Sequence, residues 1–390
     1  MILPDYRGGS IANLMATLSS SLGGAETGYP PLTGFDHRVL EQARSVVLLV
    51  IDGLGYQYLE SAGMGSVMQQ HCARSLTSVC PSTTATAIPT FLTGVPPQQH
   101  GFTGWFTYFT ELGSVVTVLP FCTRLGYMPI DERVLSPLDL SGVKPFFNRV
   151  PVSSHVVMPD WIARSRFNLA FSEGARIWPY NSMTGLYKAI RKAAGQKKER
   201  NFVYAYWPDF DGLAHRFGVA SPEVEAHFAQ LDLLFSDLMS ALKDEDTVLL
   251  VTADHGFIDS GPQRTVRLER HPELKSTLMT PLCGEPRLAF CYVHPDRREQ
   301  FEQYLAENLN REIDVYPSSR LLEEGWFGLG DPHPGLKDRI GHYALVMNEN
   351  YKITGRLPGE RPVDHIGVHG GLSEQEMYVP LIVSDTQALR

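Results

Sequence analysis

Three short apolar runs constrain the fold of this chain more than any other feature of its sequence. They are SVVLLVID at residues 45–52, NFVYAYWPD at residues 201–209 and DTVLLVTADHG at residues 246–256. Continuous apolar runs of this length are typical of parallel strands that are buried on both faces, with helices between them. The segment SPEVEAHFAQLDLLFSDLMSALKDED, which starts at Ser221, has apolar residues at helical spacing and predicts one such helix. The sequence therefore predicts an α/β protein with a mostly parallel central sheet.

Acidic residues occur at the end of each predicted strand. Asp52 ends the first run, Asp209 and Asp211 follow the second, and Asp254 follows the third. In open α/β sheets, ligands bind outside the carboxyl ends of the strands. The sequence therefore predicts a binding site at this edge of the sheet, with these aspartates as candidate residues.

A second α/β pattern occupies residues 286–324. There PRLAFCYVH, DRREQFEQYLAENLN and EIDVYPSSRLLEEG read as strand, helix and strand. A chain of 390 residues is longer than a single core usually supports. We therefore predict a core made of residues 1–264 and 361–390, with residues 265–360 forming a small inserted α/β cap subdomain. The cap is expected to cover the functional face of the core and to set the substrate.

Composition argues against several classes of partner and site. The formal net charge of −9 argues against non-specific nucleic-acid binding, which needs a basic face. The five cysteines are odd in number and show no C-x-x-C spacing, so we expect reduced thiols. No run reaches the roughly 20 apolar residues of a membrane helix, and the first residues lack the pattern of a signal peptide. We expect a cytoplasmic protein that binds neither a nucleic-acid polymer nor a membrane.

Aspartate and histidine pairs recur near the predicted strand ends. Asp211 and His215 are four residues apart, so they would share one face of a helix. Asp254 and His255 are adjacent, and a tight turn that ends in Gly256 can bring both side chains to one ion. The segment DHIGVHGG adds two more histidines. Carboxylates and neutral imidazoles are natural ligands of Zn²⁺, and two ions roughly 4 Å apart can clamp the attacking and leaving oxygens of a phosphoryl displacement.

The stretch SVCPSTTATAIPTFLTG, residues 78–94, offers several possible nucleophiles. Five hydroxyl or thiol side chains fall within seven positions: Cys80, Ser82, Thr83, Thr84 and Thr86. Such groups are poor nucleophiles unless a base, a shifted pKa or a metal ion activates them. We expect the stretch to lie at a helix N-terminus, where free N–H groups favour a phosphoryl oxygen. Ser82 and Thr83 are expected to cap that helix, and Cys80 is expected to pack in the core.

Five segments form a joint pattern in this chain. They are IDGLG, PSTTATAIPTFLTGVPPQQHG, DGLAHRFG, TADHG and HGG, in this order. Together they resemble the alkaline phosphatase superfamily, and within it the nucleotide pyrophosphatase/phosphodiesterase-like branch. The resemblance implies an alkaline phosphatase-like three-layer α/β/α sandwich with a small inserted subdomain. It also implies a hydrolase that uses two divalent ions, most simply Zn²⁺, on a small-molecule phosphate ester or diester through a phosphothreonine intermediate.

The resemblance implies a role for each candidate residue. One metal would be bound by Asp52, Thr84, Asp254 and His255, the other by Asp211, His215 and His369, with Thr84 as the nucleophile. Asp209 competes with Asp211, but the four-residue step to His215 and the H-x-x-G that follows favour Asp211. His365 competes with His369, which has the glycine that the motif of the family shows.

One position departs from the pattern of the family. Pyrophosphatase members carry an asparagine shortly after the HG pair, where this chain has Trp105. Two interpretations of Trp105 stay open, an apolar wall for a leaving group and a core residue. The departure bears on nucleotide specificity more than on hydrolysis.

Alternative functions stay open at this point. A phosphomonoesterase would need a further cation that faces the additional phosphate charge, and Arg124, Arg164 and Arg166 are candidates. A phosphonate hydrolase would use the same metals on a C–P bond. A phosphomutase and a non-catalytic metal-binding relative are interpretations of a different class. A sulfatase is excluded, because Pro81 follows Cys80 directly and the C-x-P-x-R spacing is missing.

Overall fold

The structure, a computed structural model, describes residues 1–131, 133–196, 199–243, 246–360 and 364–384. Residues 361–363 and 385–390, which the predicted core includes, lie outside the described residues. The described strands are β1 Ser45–Ile51, β2 Cys72–Thr77, β3 Phe106–Phe109, β4 Ser114–Thr117, β5 Cys122–Thr123, β6 Ser153–Pro159, β7 Ala175–Tyr180, β8 Asn201–Trp207, β9 Thr247–Thr252, β10 Ile258–Asp259, β11 Thr265–Arg267, β12 Cys283–Gly284, β13 Leu288–Cys291, β14 Ile313–Pro317, β15 Tyr343–Met347, β16 Lys352–Thr354, β17 Gly367–Val368 and β18 Tyr378–Val383.

The three predicted apolar strands lie side by side in the central sheet. The described strands of this sheet have the order β2-β18-β9-β1-β8-β6-β7. β1 is parallel to both β8 and β9, with Ser45 opposite Asn201 and Thr247. β6 and β7 continue the parallel set, whereas β18 is antiparallel to β9 and β2. Every residue of β1 and β8 is buried, which explains why their sequences are apolar without alternation.

Helices connect and flank these strands. The described α-helices are α1 Ile11–Ser21, α2 Arg38–Gln42, α3 Tyr56–Glu60, α4 Val67–Gln70, α5 Thr84–Thr93, α6 Pro97–His100, α7 Pro137–Ser141, α8 Asp160–Ala163, α9 Arg166–Phe171, α10 Met183–Ala194, α11 Asp209–Phe217, α12 Pro222–Leu242, α13 Pro272–Ser276, α14 Arg298–Asn308, α15 Ser318–Glu323, α16 Leu336–Arg339 and α17 Glu374–Met377. The predicted helix is α12, and its N-cap Ser221 accepts a hydrogen bond from the amide of Val224. None of the described helices combines the length and the apolar character needed to cross a lipid bilayer.

Helices cover both faces of the central sheet. Residues 204 and 207 of β8 point to opposite faces because side chains alternate along a strand. The ring of Tyr204 contacts that of Phe91 in α5, with 6.3 Å between the centroids. Trp207 Nε1 lies on the other face and donates to His227 of α12. The central sheet is therefore the middle layer of an α/β/α sandwich, as predicted.

A second sheet lies beside this sandwich. Its described strands have the order β14-β15-β13-β12-β3-β4-β5, and neighbouring strands are antiparallel. β13, α14 and β14 form the strand, helix and strand predicted for residues 286–324. The sheet also includes β3, β4 and β5, which precede the predicted cap in the sequence. β12 joins the two halves, since Gly284 pairs with both Ala289 and Phe106.

Candidate active site

The predicted site residues meet at the carboxyl edge of the central sheet. Asp52 follows β1, and Asp254 and His255 follow β9. Helix α11 begins just after β8 and includes Asp211 and His215. Because β9, β1 and β8 are neighbours, the segments that follow them converge.

Thr84, Asp52, Asp254 and His255 lie together and form what we call the first group. Thr84 is the first residue of α5, and its Oγ1 lies 3.1 Å from His255 Nε2 and 3.4 Å from Asp52 Oδ1. The same His255 Nε2 lies 3.3 Å from Asp52 Oδ1 and 3.5 Å from Asp254 Oδ2. The two aspartates and the histidine are buried, whereas Thr84 is half-buried and stays accessible.

Hydrogen bonds behind the first group determine which atoms face Thr84. His255 Nδ1 lies 3.1 Å from the carbonyl oxygen of Gly256. As the donor of this hydrogen bond, Nδ1 carries the proton and leaves Nε2 with a lone pair. Tyr206 donates its hydroxyl to Asp52 Oδ2, so Oδ1 is the oxygen that faces Thr84.

Asp211, His215 and His369 form the second group. The four-residue step along α11 places His215 Nε2 at 3.4 Å from Asp211 Oδ1. His369 Nε2 lies 3.2 Å from His215 Nε2 and 3.6 Å from Asp211 Oδ1. His215 Nδ1 lies 2.8 Å from the carbonyl oxygen of Gly367 and donates to it, so its Nε2 lone pair faces the group. Two facing ring nitrogens need a proton or a cation between them.

The two groups adjoin through their histidines. The ring of His255 stacks on that of His369, with 3.7 Å between the centroids and 18° between the planes. Ligand atoms of Asp52, Asp254 and His255 lie within 4.8 Å of one another, and so do those of Asp211, His255 and His369. One ring nitrogen binds one ion, so His255 can belong to only one of these sets. If His255 belongs to the set with Asp52 and Asp254, His215 of α11 is placed to complete the set with Asp211 and His369.

Burial controls the proton affinities of the site. It raises the pKa of Asp52 well above the ordinary value, and the charges of Asp211 and Asp254 raise it further. Burial also raises the pKa of Asp211 to about 7, although His255 acts to lower it. Burial lowers the pKa of His215 to about 4. In the metal-free chain, His215 is therefore neutral at pH 7, and the carboxyl groups of Asp52 and Asp211 resist ionisation.

Several buried polar atoms of the site have no hydrogen-bond partner among the described residues. They are Asp211 Oδ1, Asp254 Oδ2 and His369 Nδ1. Asp254 Oδ1, in contrast, accepts from the amides of Gly53 and His255, each at 3.0 Å. A buried polar atom without a partner destabilises a fold, whereas carboxylate oxygens and neutral imidazoles are ligands that divalent cations accept. The residues present therefore fit metal ions.

Asp209 and His365, the two competing candidates, lie outside these groups. Asp209 is the first residue of α11, and its side chain is exposed. The ring of His365 stacks on that of His215 with 4.0 Å between the centroids. No cluster of ligand atoms found among the described residues includes either of them. The geometry therefore favours Asp211 and His369.

Thr84 begins helix α5, as predicted for the nucleophile segment, but neither Ser82 nor Thr83 makes the expected capping hydrogen bond. Thr83 is the N-cap residue, yet its Oγ1 donates to Glu285 Oε1 at 2.8 Å and makes no capping hydrogen bond. Ser82 Oγ donates to the carbonyl oxygen of Gly371 at 2.6 Å. Each hydroxyl turns towards an acceptor on another segment, and so away from the helix amides.

The two remaining candidates in this segment face away from the site. Cys80 is fully buried, as predicted, and burial raises the pKa of its thiol well above the ordinary range. Thr86 Oγ1 donates to the carbonyl oxygens of Pro81 and Thr83, at 2.5 and 2.9 Å. Of the five candidate nucleophiles, Thr84 is the one that contacts Asp52 and His255.

Glu285 is a site residue that sequence reasoning missed. It lies between β12 and β13, and its Oε1 accepts from Thr83 Oγ1 at 2.8 Å and from the amide of Trp105 at 2.6 Å. Burial raises the pKa of Glu285 to about 7, and the charge of Asp211 adds to the rise. No motif marks this residue, because only the pairing of β12 with distant strands brings it to Thr83.

The three arginines considered as phosphate ligands have other surroundings. Arg124 is buried and pairs with Glu360 at 2.9 Å. Arg166 donates to the carbonyl oxygen of Ile130, and Arg164 is exposed. Trp105, which stands at the usual asparagine position, is half-buried.

A family and a curated relative match this chain. Residues 46–372 match the family described as type I phosphodiesterase / nucleotide pyrophosphatase. An uncharacterised pyrophosphatase/phosphodiesterase of Schizosaccharomyces pombe is 21% identical over 301 residues, which are 72% of this chain and 58% of that protein. The chain thus spans less than two thirds of the length of this relative.

Solved structures share the fold. An inactive variant of murine ectonucleotide pyrophosphatase/phosphodiesterase 5, in complex with AMP, is 19% identical with a TM-score of 0.67 and covers 87% of both chains. Phosphonoacetate hydrolase from Sinorhizobium meliloti, in complex with phosphonoformate, is 18% identical with a TM-score of 0.62, over 88% of this chain and 90% of that one. These likenesses show the predicted α/β architecture with its largely parallel central sheet.

Proposed function

The chain belongs to the type I phosphodiesterase / nucleotide pyrophosphatase family, and we propose that it hydrolyses small phosphodiesters or pyrophosphate bonds at a two-metal site. Thr84 is the nucleophile in this proposal, and a phosphothreonine is the intermediate. One observation carries it: Thr84 Oγ1, at the start of α5, lies 3.1 Å from His255 Nε2 and 3.4 Å from Asp52 Oδ1. A hydroxyl in contact with an imidazole and a carboxylate has the surroundings that an activated nucleophile needs.

The first and second groups would each hold one divalent ion. The proposed ligands are Asp52, Thr84, Asp254 and His255 for one ion and Asp211, His215 and His369 for the other. Zn²⁺ is the proposed metal, because oxygen and imidazole ligands in small sets suit it. When bound, two such ions would stabilise the negative charge that develops on the reacting oxygens.

The chain's own residues orient and carry out the two steps. Thr84 Oγ1 forms a bond to phosphorus while the bond from phosphorus to the leaving oxygen breaks, and the hydroxyl proton goes to the departing alcohol. The oxygen of a water molecule then forms a bond to phosphorus while the bond from phosphorus to Thr84 Oγ1 breaks. One water proton goes to Thr84 Oγ1, and the phosphate product leaves with the water oxygen and the other proton. Asp52 Oδ1 orients that hydroxyl and is itself oriented by Tyr206. The first amides of α5 have no partner inside the helix and are available to phosphoryl oxygens.

The division of the chain into a core and a cap is also a proposal. In it, residues 1–264 and 361–390 form the core, and residues 265–360 form the cap. The hydrogen bond from Thr83 to Glu285 supports this division, because the bond places a residue of the cap beside the neighbour of the nucleophile. A cap in this position can select the substrate, as other loops above α/β sheets do.

A substrate panel tests the reaction class. The zinc-loaded chain is assayed with bis-p-nitrophenyl phosphate as the diester, p-nitrophenyl phosphate as the monoester and phosphonoacetate as the phosphonate. We expect the highest kcat/KM for the diester. Hydrolysis of none of the three by protein that binds two zinc ions would contradict the proposal and favour a mutase or a binding role.

A pair of variants tests the nucleophile. Thr84→Ala is expected to lower kcat for the diester by about 10³-fold or more, because it removes the hydroxyl that lies beside Asp52 and His255. Cys80→Ala removes the buried thiol of the same segment and is expected to leave kcat unchanged. Full turnover by Thr84→Ala with the metal content of the wild type would show that Thr84 is not the nucleophile.

A further inference from the structure

Glu285 is a buried carboxyl group that lies between the nucleophile segment and the second group. It is 6% exposed. Its Oε1 is bound on one side by Thr83, the neighbour of the nucleophile. On another side it packs against Gly370, the residue after His369, so closely that a Cβ there would lie 2.6 Å from Glu285 Cβ. The side chain thus lies against both the nucleophile segment and the second group.

The two oxygens of Glu285 have different surroundings. Oε1 accepts both hydrogen bonds, from Thr83 Oγ1 and from the amide of Trp105, and Oε2 has no hydrogen-bond partner among the described residues. Glu376, a comparable buried carboxylate, is instead paired with Arg287 at 3.0 Å. Glutamates that are buried to this extent are usually paired with a cation. Glu285 is held by hydrogen-bond donors alone, whereas Glu376 is also paired with an arginine.

The cations of the surrounding chain do not compensate this charge. Lys352 Nζ donates to the carbonyl oxygens of Ser260 and His365, and Arg339 pairs with Glu111 at 2.9 Å. In the described part of the chain, no lysine or arginine is ion-paired with Glu285 or with the carboxylates of the two groups. A doubly charged phosphate is best bound by added positive charge, whereas this site adds a carboxylate.

We propose that Glu285 is a specificity-determining residue that excludes doubly charged phosphate groups through like-charge repulsion. The inference rests on the proposed hydrolase function and narrows its substrate class. Diesters and internal pyrophosphate groups, whose reacting phosphorus carries one negative charge, are accepted. Monoesters and phosphonates with two charges are rejected, because a nearby carboxylate repels the second charge in a medium of low dielectric constant.

The test is the substrate preference of Glu285→Gln in the zinc-loaded full chain. Glutamine keeps an acceptor oxygen for Thr83 and Trp105 but removes the charge. At pH 8.5, we expect the ratio of kcat/KM for p-nitrophenyl phosphate to that for bis-p-nitrophenyl phosphate to rise about tenfold or more. Inhibition by inorganic phosphate, which is doubly charged at this pH, should strengthen by a similar factor, whereas inhibition by dimethyl phosphate should not change.

Two further variants make the result decisive. Asp209→Asn removes an exposed carboxylate from α11 and should leave the substrate ratio unchanged. Glu285→Met also removes the charge, and its substrate ratio provides the test if the glutamine variant does not fold. A wild type that prefers the monoester to the diester would also overturn the inference. An unchanged ratio in both Glu285 variants, in a chain whose wild type hydrolyses the diester, overturns it and leaves the proposed function standing. A wild type that hydrolyses neither ester shows that the proposed function has failed.

Discussion

The carboxyl groups of the site are buried close to one another, which opposes folding of the metal-free chain. Asp52 is 3% exposed and Asp254 is fully buried. The pKa of Asp211 is raised to about 7, chiefly by burial. Groups held in such surroundings are typical of functional sites, where activity rather than stability explains the residue.

Replacing Asp211 should stabilise the metal-free protein at high pH. The unfolded carboxyl group ionises near its ordinary pKa of 3.8, whereas the folded group keeps its proton up to about pH 7. The free energy of unfolding therefore falls as pH rises through this window, and above pH 7 the loss is complete. Asp211→Asn removes the loss, so we expect its Tm in chelator to exceed that of the wild type by about 2 °C or more at pH 8.

The comparison with Asp209→Asn separates burial from net charge. Both variants remove one carboxylate from α11, but Asp209 is exposed and should give no change in Tm at either pH 5 or pH 8. The increase in Tm that Asp211→Asn gives should become smaller towards pH 5, where the carboxyl group of Asp211 in the folded wild type is protonated. A lower Tm for Asp211→Asn at pH 8 in chelator would contradict this account of the site.

Local sequence patterns mark several residues of the two groups as candidates, whereas the residues that support them carry no such pattern. Asp211 and His215 carry a helical spacing, and Asp254 with His255 stands at the end of an apolar run, so local patterns place them. Tyr206 orients Asp52 but lies inside a buried strand, where its sequence context is that of any core residue. Glu285 reaches Thr83 over 202 positions of chain, and no local pattern reports such a contact.

At the scale of elements, the turn after β9 depends on the small size of Gly256. A Cβ at Gly256 would lie 2.0 Å from the backbone carbonyl oxygen of Gln375. Gly256→Ala must therefore move the backbone next to His255. We expect a loss of about 1 to 3 kcal/mol in the free energy of unfolding and a clear fall in kcat, measured by denaturant unfolding and by diester hydrolysis.

Gly212→Ala is the matched control for this prediction. Gly212 lies inside α11, and a Cβ there would meet no atom within 4 Å. Alanine in a helix interior is better than glycine by roughly 0.5–1 kcal/mol, so this variant should be more stable, with unchanged kcat. Equal stability of the two variants would show that the turn does not need the glycine.

The elements that sequence patterns predict well are those with strong local signals. The three apolar runs became β1, β8 and β9, and the long amphipathic segment became α12. β3, β4 and β5 are two to four residues long, which is too short for a hydrophobic period to stand out in their sequences. Their place in the second sheet is set by pairing with β12, which lies far along the chain.

At the scale of the whole molecule, the strand order of the central sheet brings together the ends of β9, β1 and β8, which the site residues follow. The α/β class follows from the apolar runs, and the position of the site follows from the rule that ligands bind at the carboxyl ends of the strands. The second sheet could not be derived in full, because its strands come from two separate parts of the sequence. The boundary between core and cap is accordingly still a prediction.

Removal of metal should destabilise the entire fold. If the two groups bind zinc in the folded chain and not in the unfolded chain, zinc at a thousandfold excess over Kd adds about 4 kcal/mol per site. We expect the Tm in zinc to exceed the Tm in chelator, and His369→Ala to show a smaller difference. Identical Tm values in zinc and in chelator would contradict metal binding by these residues.

Anomalous diffraction at the zinc edge, from crystals of the zinc-loaded chain, tests the central claim most directly. The account predicts two peaks per chain, one bound by Asp52, Asp254 and His255 beside Thr84, the other by Asp211, His215 and His369. Peaks elsewhere on the chain, or no peak between these side chains, would contradict it.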